Sequence, residues 1–173
     1  MEGQKKQNRV VAENEVYIQR IVNAPRELVF EAWTNPEHLK RWYAPKNCTC
    51  HFTTIDSRVG GGFHGAIRHN EGRTGWFRAV YREIVRPEKL VFTLARANEA
   101  GDHVSPAEAG MPHEWPDITL VTLTFEDLGK QTRFTLQQTV DTDLATRVGA
   151  LPSWLQMLDF MEEMITSNQH TTR

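Results

Sequence analysis

The chain has 173 residues, of which 39% are hydrophobic and 24% are charged, and its formal net charge is -2. This length favours a single domain with room for a core and an internal pocket. The composition excludes a protein built on long membrane-spanning segments. Acidic and basic residues are interleaved, so the sequence offers no basic surface typical of nucleic-acid binding.

The start of the chain and its cysteines bear on its location. The first nine residues, M-E-G-Q-K-K-Q-N-R, are polar and lack the apolar segment of a secretory signal. The two cysteines, Cys48 and Cys50, are too close in sequence to link distant parts of a fold. We therefore expect a cytoplasmic protein with reduced thiols, no nucleic-acid partner and no stable insertion into a membrane.

The first quarter of the chain predicts one strand followed by two short helices. Residues 1–14 are polar, and we expect them to be disordered or frayed. The run V-Y-I-Q-R-I-V at residues 16–22 is rich in β-branched residues and predicts the first strand. Pro25 suits the first turn of a helix that ends at the Asn-Pro pair 35–36, and a second short helix follows at residues 37–42.

The middle of the chain predicts six further strands with little interruption. Turn residues separate runs of β-forming residues at 48–57, 63–69, 74–85, 90–95, 118–125 and 132–139. Residues 98–116 carry Gly, Pro, Asp and Ser without periodicity and predict a long loop. Successive strands with segregated helices indicate an α+β fold, with a curved antiparallel sheet of about six to seven strands.

The last helix is predicted over residues 153–166, with Pro152 and Ser153 as its start signal. Its apolar residues recur at three- and four-residue steps, which gives one broad stripe rich in Trp and Met. Such a stripe is typical of a helix face that packs on a core, and it could also form one wall of a cavity. We expect a single domain over residues 15–167 and a frayed end at residues 168–173.

Several blocks of the sequence, in this order, resemble the START-like (SRPBCC) superfamily. Within it they are most similar to the activator of heat-shock-protein-ninety ATPase homologue-like (AHSA-type) group. The blocks are N-A-P-R-E-L-V-F-E-A-W-T-N-P-E-H-L-K-R-W-Y-A-P at residues 23–45, Y-R-E-I-V-R-P-E-K-L-V-F at 81–92, V-T-L-T-F-E-D-L-G-K-Q-T-R-F-T-L at 121–136 and W-L-Q-M-L-D-F-M at 154–161. The resemblance implies a helix-grip fold, in which the curved sheet wraps around the long C-terminal helix and a hydrophobic cavity lies between them.

The resemblance implies three possible functions. Members of the superfamily bind lipids, sterols, polyketides or hormones, so the leading expectation is binding of a small hydrophobic or amphipathic molecule in that cavity. An enzyme of cyclase or hydrolase type using the same cavity is the first alternative, and a module that stimulates a chaperone ATPase is the second. The loop at residues 98–116 is longer than is usual for the family and lies near the expected cavity mouth, so the family's ligands do not transfer directly.

Large apolar side chains on the predicted strands and helices are the candidate ligand-binding residues, because ligand pockets are mostly apolar with a few polar groups. A fully packed core is the alternative use of the same side chains. Strand alternation adds the phenol of Tyr81 and the carboxylate of Glu83, which in an inward orientation would orient a ligand or serve as acid or base. For Glu83 the alternative is a charge paired at the end of the sheet. The candidates are Phe30, Trp33, Trp42, Phe63, Phe77, Tyr81, Glu83, Phe92, Trp154, Met157, Leu158 and Met161.

Other chemistry finds little support in the sequence. His64 alternates with the apolar residues of its strand, so we expect it to point outward and not to act as a catalyst. In C-T-C-H at residues 48–51 the cysteines share one strand face and His51 the other, so we expect no metal site. No nucleophile elbow, phosphate loop or dinucleotide fingerprint is present, and we expect no cofactor. The oligomeric state is left as monomer or homodimer.

Overall fold

The computed structural model describes residues 14–171, with side chains through residue 167. Predictions for residues 1–13, 172 and 173 therefore lie outside the described part of the chain. The strands are β1 (Glu15–Val22), β2 (Cys48–Asp56), β3 (Gly62–His69), β4 (Thr74–Val85), β5 (Lys89–Arg96), β6 (Ile118–Asp127) and β7 (Thr132–Asp141). The helices are α1 (Arg26–Thr34), α2 (Pro36–Trp42), α3 (Thr142–Arg147) and α4 (Ala150–Thr171).

The seven strands form one antiparallel sheet in the order β1-β7-β6-β5-β4-β3-β2. Each predicted strand is present within two residues of its predicted bounds. The two short helices follow β1, and the long helix α4 comes last. This is the α+β helix-grip fold, and the predicted fold class is confirmed.

The inner face of the sheet is built by alternation along the strands, most regularly in β6. In β6, Val121, Leu123 and Phe125 are buried, while the residues between them are more exposed. Phe134 and Leu136 of β7 continue the same apolar face beside them. Because one face carries the apolar residues, the sheet must bury that face against another layer.

Helix α4 supplies that layer. Its buried residues recur at helical spacing and include Trp154, Leu158, Met161 and Ile165, as the apolar stripe predicts. Arg20 on β1 adds a polar clamp, since its Nη1 lies 2.7 Å from both Asp159 Oδ1 and Glu162 Oε2. Within residues 14–171, no helix is both long enough and apolar enough to cross a lipid bilayer.

The predicted start of the last helix is wrong, because α4 begins at Ala150 and includes Pro152 in its first turn. A proline fits there, since the amide groups of a first helical turn have no acceptor within the helix. The break lies instead at Gly149, whose φ of 86° separates α4 from α3. At the other end, the helical backbone continues to Thr171, beyond the predicted domain end at residue 167.

Gly62 at the start of β3 gives a test of this strand packing. A Cβ at this position would lie 1.9 Å from the Ala79 carbonyl oxygen of β4, which the sheet holds in place. We expect Gly62→Ala to lower the free energy of unfolding by about 2–4 kcal/mol, as measured by urea denaturation. Gly75→Ala is the control, because its added Cβ would meet only the mobile end of Arg96 at 3.4 Å. Equal stability of the two variants would contradict the close approach at Gly62.

Candidate ligand cavity

A cavity of about 310 Å³ lies between the sheet and the first turns of α4. Strands β3 to β7, the segment after α2, the loop between β5 and β6, and the α3–α4 junction all contribute to its walls. Its lining residues are Tyr43, Pro45, Ile67, His69, Arg73, Gly75, Phe77, Leu94, Ala95, Arg96, Met111, Trp115, Thr119, Gln138, Val148, Gly149, Ala150, Ser153, Trp154 and Met157.

The cavity forms where the inward-facing rows of the strands change from apolar to polar. In β5 the inward row runs through Leu90, Phe92 and Leu94, and it ends at Arg96. In β7 the row that contains Leu136 continues to Gln138. The polar ends of these rows lie at the same end of the sheet, because neighbouring strands are antiparallel and in register. The large aromatic side chains fill the other end.

A chain of buried hydrogen bonds forms one wall of the cavity. Trp154 Nε1 donates to Gln138 Oε1 at 2.9 Å, and Gln138 Nε2 donates to Thr119 Oγ1 at 3.0 Å. Thr119 Oγ1 in turn donates to the Leu94 carbonyl oxygen at 3.2 Å. Gln138 is 2% exposed and Thr119 1% exposed, so these bonds satisfy polar groups that water does not reach. This wall is therefore fixed before any ligand binds.

Arg96 brings a positive charge to the cavity. Residue 96 pairs across the sheet with Phe77, and cross-strand partners point to the same face. Its Nη2 donates to Met111 Sδ at 3.6 Å, which is a weak acceptor. Burial lowers the pKa of Arg96 below its ordinary value, and the nearby Tyr43 acts in the opposite direction.

Tyr43 adds a neutral hydroxyl group to the same space. The side chain is 3% exposed, and burial raises the pKa of its phenol, with smaller contributions from Cys50 and Tyr81 in the same direction. The ring packs edge-on against Phe63 and Trp154, at centroid distances of 5.6 and 6.0 Å. Tyr43 is therefore a rigid, uncharged hydrogen-bonding group beside Arg96.

The loop between β5 and β6 covers the cavity from outside. Met111 and Trp115 reach the lining, and Trp115 is only 9% exposed. The start of the loop lies on the opposite face of the sheet, where the Asn98 carbonyl oxygen is 2.9 Å from His64 Nε2. The loop thus passes around the end of the sheet from its outer face to the cavity, as the composition of residues 98–116 allows.

Three of the twelve predicted ligand-binding residues line this cavity: Phe77, Trp154 and Met157. Their binding role remains a prediction. Eight others lie in the solid core beside the cavity and do not belong to its lining. They are Phe30, Trp33, Trp42, Phe63, Tyr81, Phe92, Leu158 and Met161.

The core residues are held by contacts among themselves. Trp33 packs edge-on against Trp42 at a centroid distance of 4.7 Å and stacks on Phe134 at 5.9 Å. Tyr81 is directed at the backbone, with its hydroxyl 3.4 Å from the Trp33 carbonyl oxygen. Burial raises the pKa of Tyr81 to about 12. These side chains fill space that the sequence alone could equally assign to a ligand.

The predicted inward orientation of Glu83 is wrong. The register of β4 against β5 shifts between Tyr81 and Glu83, so an extra residue enters the strand and reverses the alternation. Ile84 consequently packs on the core, and the Glu83 side chain is 47% exposed, with an ion pair to Lys89 at 3.4 Å. A carboxylate at residue 83 is therefore not available to the cavity.

His64 lies on the outer face of the sheet, as alternation predicts, yet it is buried there. Its ring stacks on Trp76 at a centroid distance of 5.2 Å, and its two nitrogens contact Thr53 Oγ1 and the Asn98 carbonyl oxygen. Nδ1 thus contacts strand β2, and Nε2 holds the start of the loop. Among the residues that the structure describes, no group of three or more His, Cys, Asp or Glu is arranged to hold a metal ion.

Sequence reasoning missed most of the polar lining of the cavity, including Tyr43, Arg96 and Gln138. The signal for Arg96 and Gln138 was available, because period-two alternation continues the apolar rows directly to them. Tyr43 had no such signal, since it lies between a helix and a strand. Met111 and Trp115 depend on how a long loop folds back, which alternation does not encode.

Residues 23–166 match the family described as "Activator of Hsp90 ATPase homolog 1-like protein". No curated protein matches the chain in sequence. A solved structure from Arthrobacter aurescens is 20% identical with a TM-score of 0.75, over 88% of this chain and 86% of its own. A solved structure from Staphylococcus epidermidis is 20% identical with a TM-score of 0.74, and the match covers 91% of this chain and 92% of the other. A solved structure from Chromobacterium violaceum is 20% identical with a TM-score of 0.69, and the match covers 89% of this chain and 98% of the other. At these identities the structures share the fold.

The two cysteines give a test of the environment beside Tyr43. Burial raises the pKa of the Cys50 thiol from 9.0 to about 12, so at pH 8 roughly one molecule in ten thousand carries the thiolate. The pKa of Cys48 is also raised, by burial and by Glu71, but Arg73 opposes the shift. We expect Cys48→Ser, which leaves Cys50, to react with Ellman's reagent at least about tenfold more slowly than Cys50→Ser.

The same shift has a consequence for stability. Folding favours the neutral Cys50 thiol, so its contribution to stability is complete below pH 9 and is lost as the pH rises toward 12.

Reaction rates with Ellman's reagent that are equal in the two variants at pH 8, and equal again after unfolding in guanidinium chloride, would contradict the buried environment of Cys50.

Proposed function

The chain belongs to the activator of Hsp90 ATPase homolog 1-like family, and from this premise we propose that it binds a small apolar or amphipathic molecule in the cavity between the sheet and α4. One observation carries the proposal, namely the half-open space of about 310 Å³ beside a core that is otherwise filled. This volume is at the lower end of the range for small-molecule pockets, which is about 300–1,000 Å³.

The lining supports binding of a molecule with a substantial apolar part. Phe77, Leu94, Trp154 and Met157 present apolar surface from both the sheet and the helix. Each buried CH₂ group contributes roughly 0.8 kcal/mol to transfer from water, so a short alkyl chain or an aromatic ring gains affinity there. Methionine adapts its shape to different ligands, which suits a cavity that accepts related molecules.

Catalysis in the same cavity has less support. Tyr81 and Glu83, which offer a phenol and a carboxylate as acid or base, do not belong to the lining, since Tyr81 is packed in the core and Glu83 faces solvent. The loop histidines His103 and His113 do not belong to it either. A general base must lie within hydrogen-bonding reach of its proton, directly or through one water. Stimulation of a chaperone ATPase remains a prediction from the resemblance, and a binding assay with the purified chaperone tests it separately.

A variant that fills the cavity tests the proposal. Ser153 lines the cavity on the first turn of α4, so the ring of Ser153→Phe would occupy space that a ligand needs. We expect 1-decanol to raise the melting temperature of the wild type by about 5 °C at a hundredfold excess over Kd, and to leave Ser153→Phe unchanged. The measurement is thermal unfolding followed by tryptophan fluorescence.

Leu155→Phe is the matched control, because Leu155 lies on the same helix but is 39% exposed. This variant should respond to 1-decanol as the wild type does. A normal response in Ser153→Phe would place the binding site elsewhere. The proposal is contradicted if the wild type neither responds to 1-decanol nor carries a small molecule in native mass spectrometry after purification from cells.

A further inference from the structure

The cavity has an imbalance of charge that binding of an apolar molecule does not explain. Its lining includes Arg73 and Arg96, and no Asp or Glu belongs to it. Resting on the proposed function, we propose that the ligand carries an oxyanion head group, a carboxylate or a phosphate, and that Arg96 binds this head group inside the cavity.

Arg96 is positioned for this role by the strand that carries it. It continues the inward row of Leu90, Phe92 and Leu94, so its side chain extends over the inner face of the sheet. The guanidinium lies beside Gly75 on the neighbouring strand, where a Cβ would be in ordinary contact with Arg96 Nη1 at 3.4 Å. The group is therefore held at the cavity by backbone geometry.

The guanidinium lacks an acidic partner among the described residues. Arg73, the other cavity arginine, lies 3.3 Å from the Glu71 carboxylate and so is paired toward solvent. The hydrogen bond from Arg96 goes to the thioether of Met111, although guanidinium offers five N–H donors. A partly buried cation without a counter-ion is costly, and an oxyanion that accepts two parallel N–H bonds offsets that cost.

The surroundings of Arg96 favour negative charge as well. Gly149 and Ala150 line the cavity, so the N-terminus of the 22-residue helix α4 lies at its wall, and the first turn of that helix has no acidic residue. A helix N-terminus carries a partial positive charge. Tyr43 stays a neutral phenol, because burial raises its pKa, and its hydroxyl can donate to an anion.

The remaining lining defines the rest of the ligand. Phe77, Trp154 and Met157 are apolar, and the amide of Gln138 is already bonded to Trp154 and Thr119. The walls away from the two arginines therefore offer no charged partner to the rest of the ligand. The chemistry points to a small amphipathic molecule with one oxyanion head and one apolar tail.

Three probes with the same ten-carbon tail test this assignment: 1-decanol, decanoate and decyl phosphate, each below its micelle concentration at pH 7.5. We expect isothermal titration calorimetry to give one or both anions a Kd about 10- to 100-fold lower than that of 1-decanol. The tighter of the two anions identifies the head group. In Arg96→Gln the preference for the anions over 1-decanol should disappear.

Arg78→Gln is the matched control, because it removes the same charge from the neighbouring strand β4 at an exposed side chain that bonds the Gly101 carbonyl oxygen. It should keep the preference for the anions. Arg96→Lys retains the positive charge without the planar guanidinium, so it should keep part of the preference for the anions. This variant keeps the inference testable if Arg96→Gln does not fold.

The outcomes separate this inference from the proposed function. Equal Kd values for all three probes in the wild type would overturn the oxyanion head group and leave binding of an apolar molecule intact. An anion preference that survives in Arg96→Gln would overturn the role of Arg96. If none of the probes binds to the wild type, the oxyanion inference is overturned, whereas the proposed function is overturned only if native mass spectrometry also finds no small molecule bound to the purified protein.

Discussion

Burial of the apolar stripe of α4 against the inner face of the sheet is the interaction on which the rest of the structure depends. The sheet has one apolar face, and α4 is the long helix that covers it. The short helices α1 and α2 complete the cover through Trp33 and Trp42, and Trp42 Nε1 donates to the Ala32 carbonyl oxygen at 2.9 Å. Without α4, the inner face would meet water.

The cavity follows from how unevenly this cover fills the space. Near α1 and α2 large aromatic rings pack against one another, as the contacts of Trp33 and Phe63 show. Near the start of α4 the facing residues are small or polar, among them Gly75, Gly149 and Ser153. Close packing at one end and small residues at the other leave a space that is bounded by rigid walls.

Much of the fold could be predicted because the buried residues of strands and helices recur in the sequence with the period of each element. The strand bounds and the stripe of α4 are examples, and the block at residues 23–45 placed the two short helices. Predictions from periodicity were wrong where a single residue shifts the alternation of a strand or the start of a helix. The bulge near Arg82 turns Glu83 outward. Pro152 was expected to precede the last helix, but it lies within the first turn of that helix.

The site was harder to predict than the fold, for a physical reason. A buried Phe or Trp has the same sequence signature whether it touches another side chain or a ligand, so Phe77 and Phe63 could not be told apart. A polar residue at the end of an apolar row is more informative, because burial is costly for it without a partner. Arg96 and Gln138 have that signature, whereas Met111 depends on the path of a long loop.

The path of the loop between β5 and β6 has a consequence for how fast a molecule exchanges between the cavity and solvent. Its start is held on the outer face by His64, and its middle covers the cavity with Met111 and Trp115. A molecule that enters on this side would pass Met111 and Trp115, so its rates of entry and release would depend on how far these two side chains yield. Substitutions in this loop would then change the rates of entry and release together, while the walls formed by the sheet stay the same.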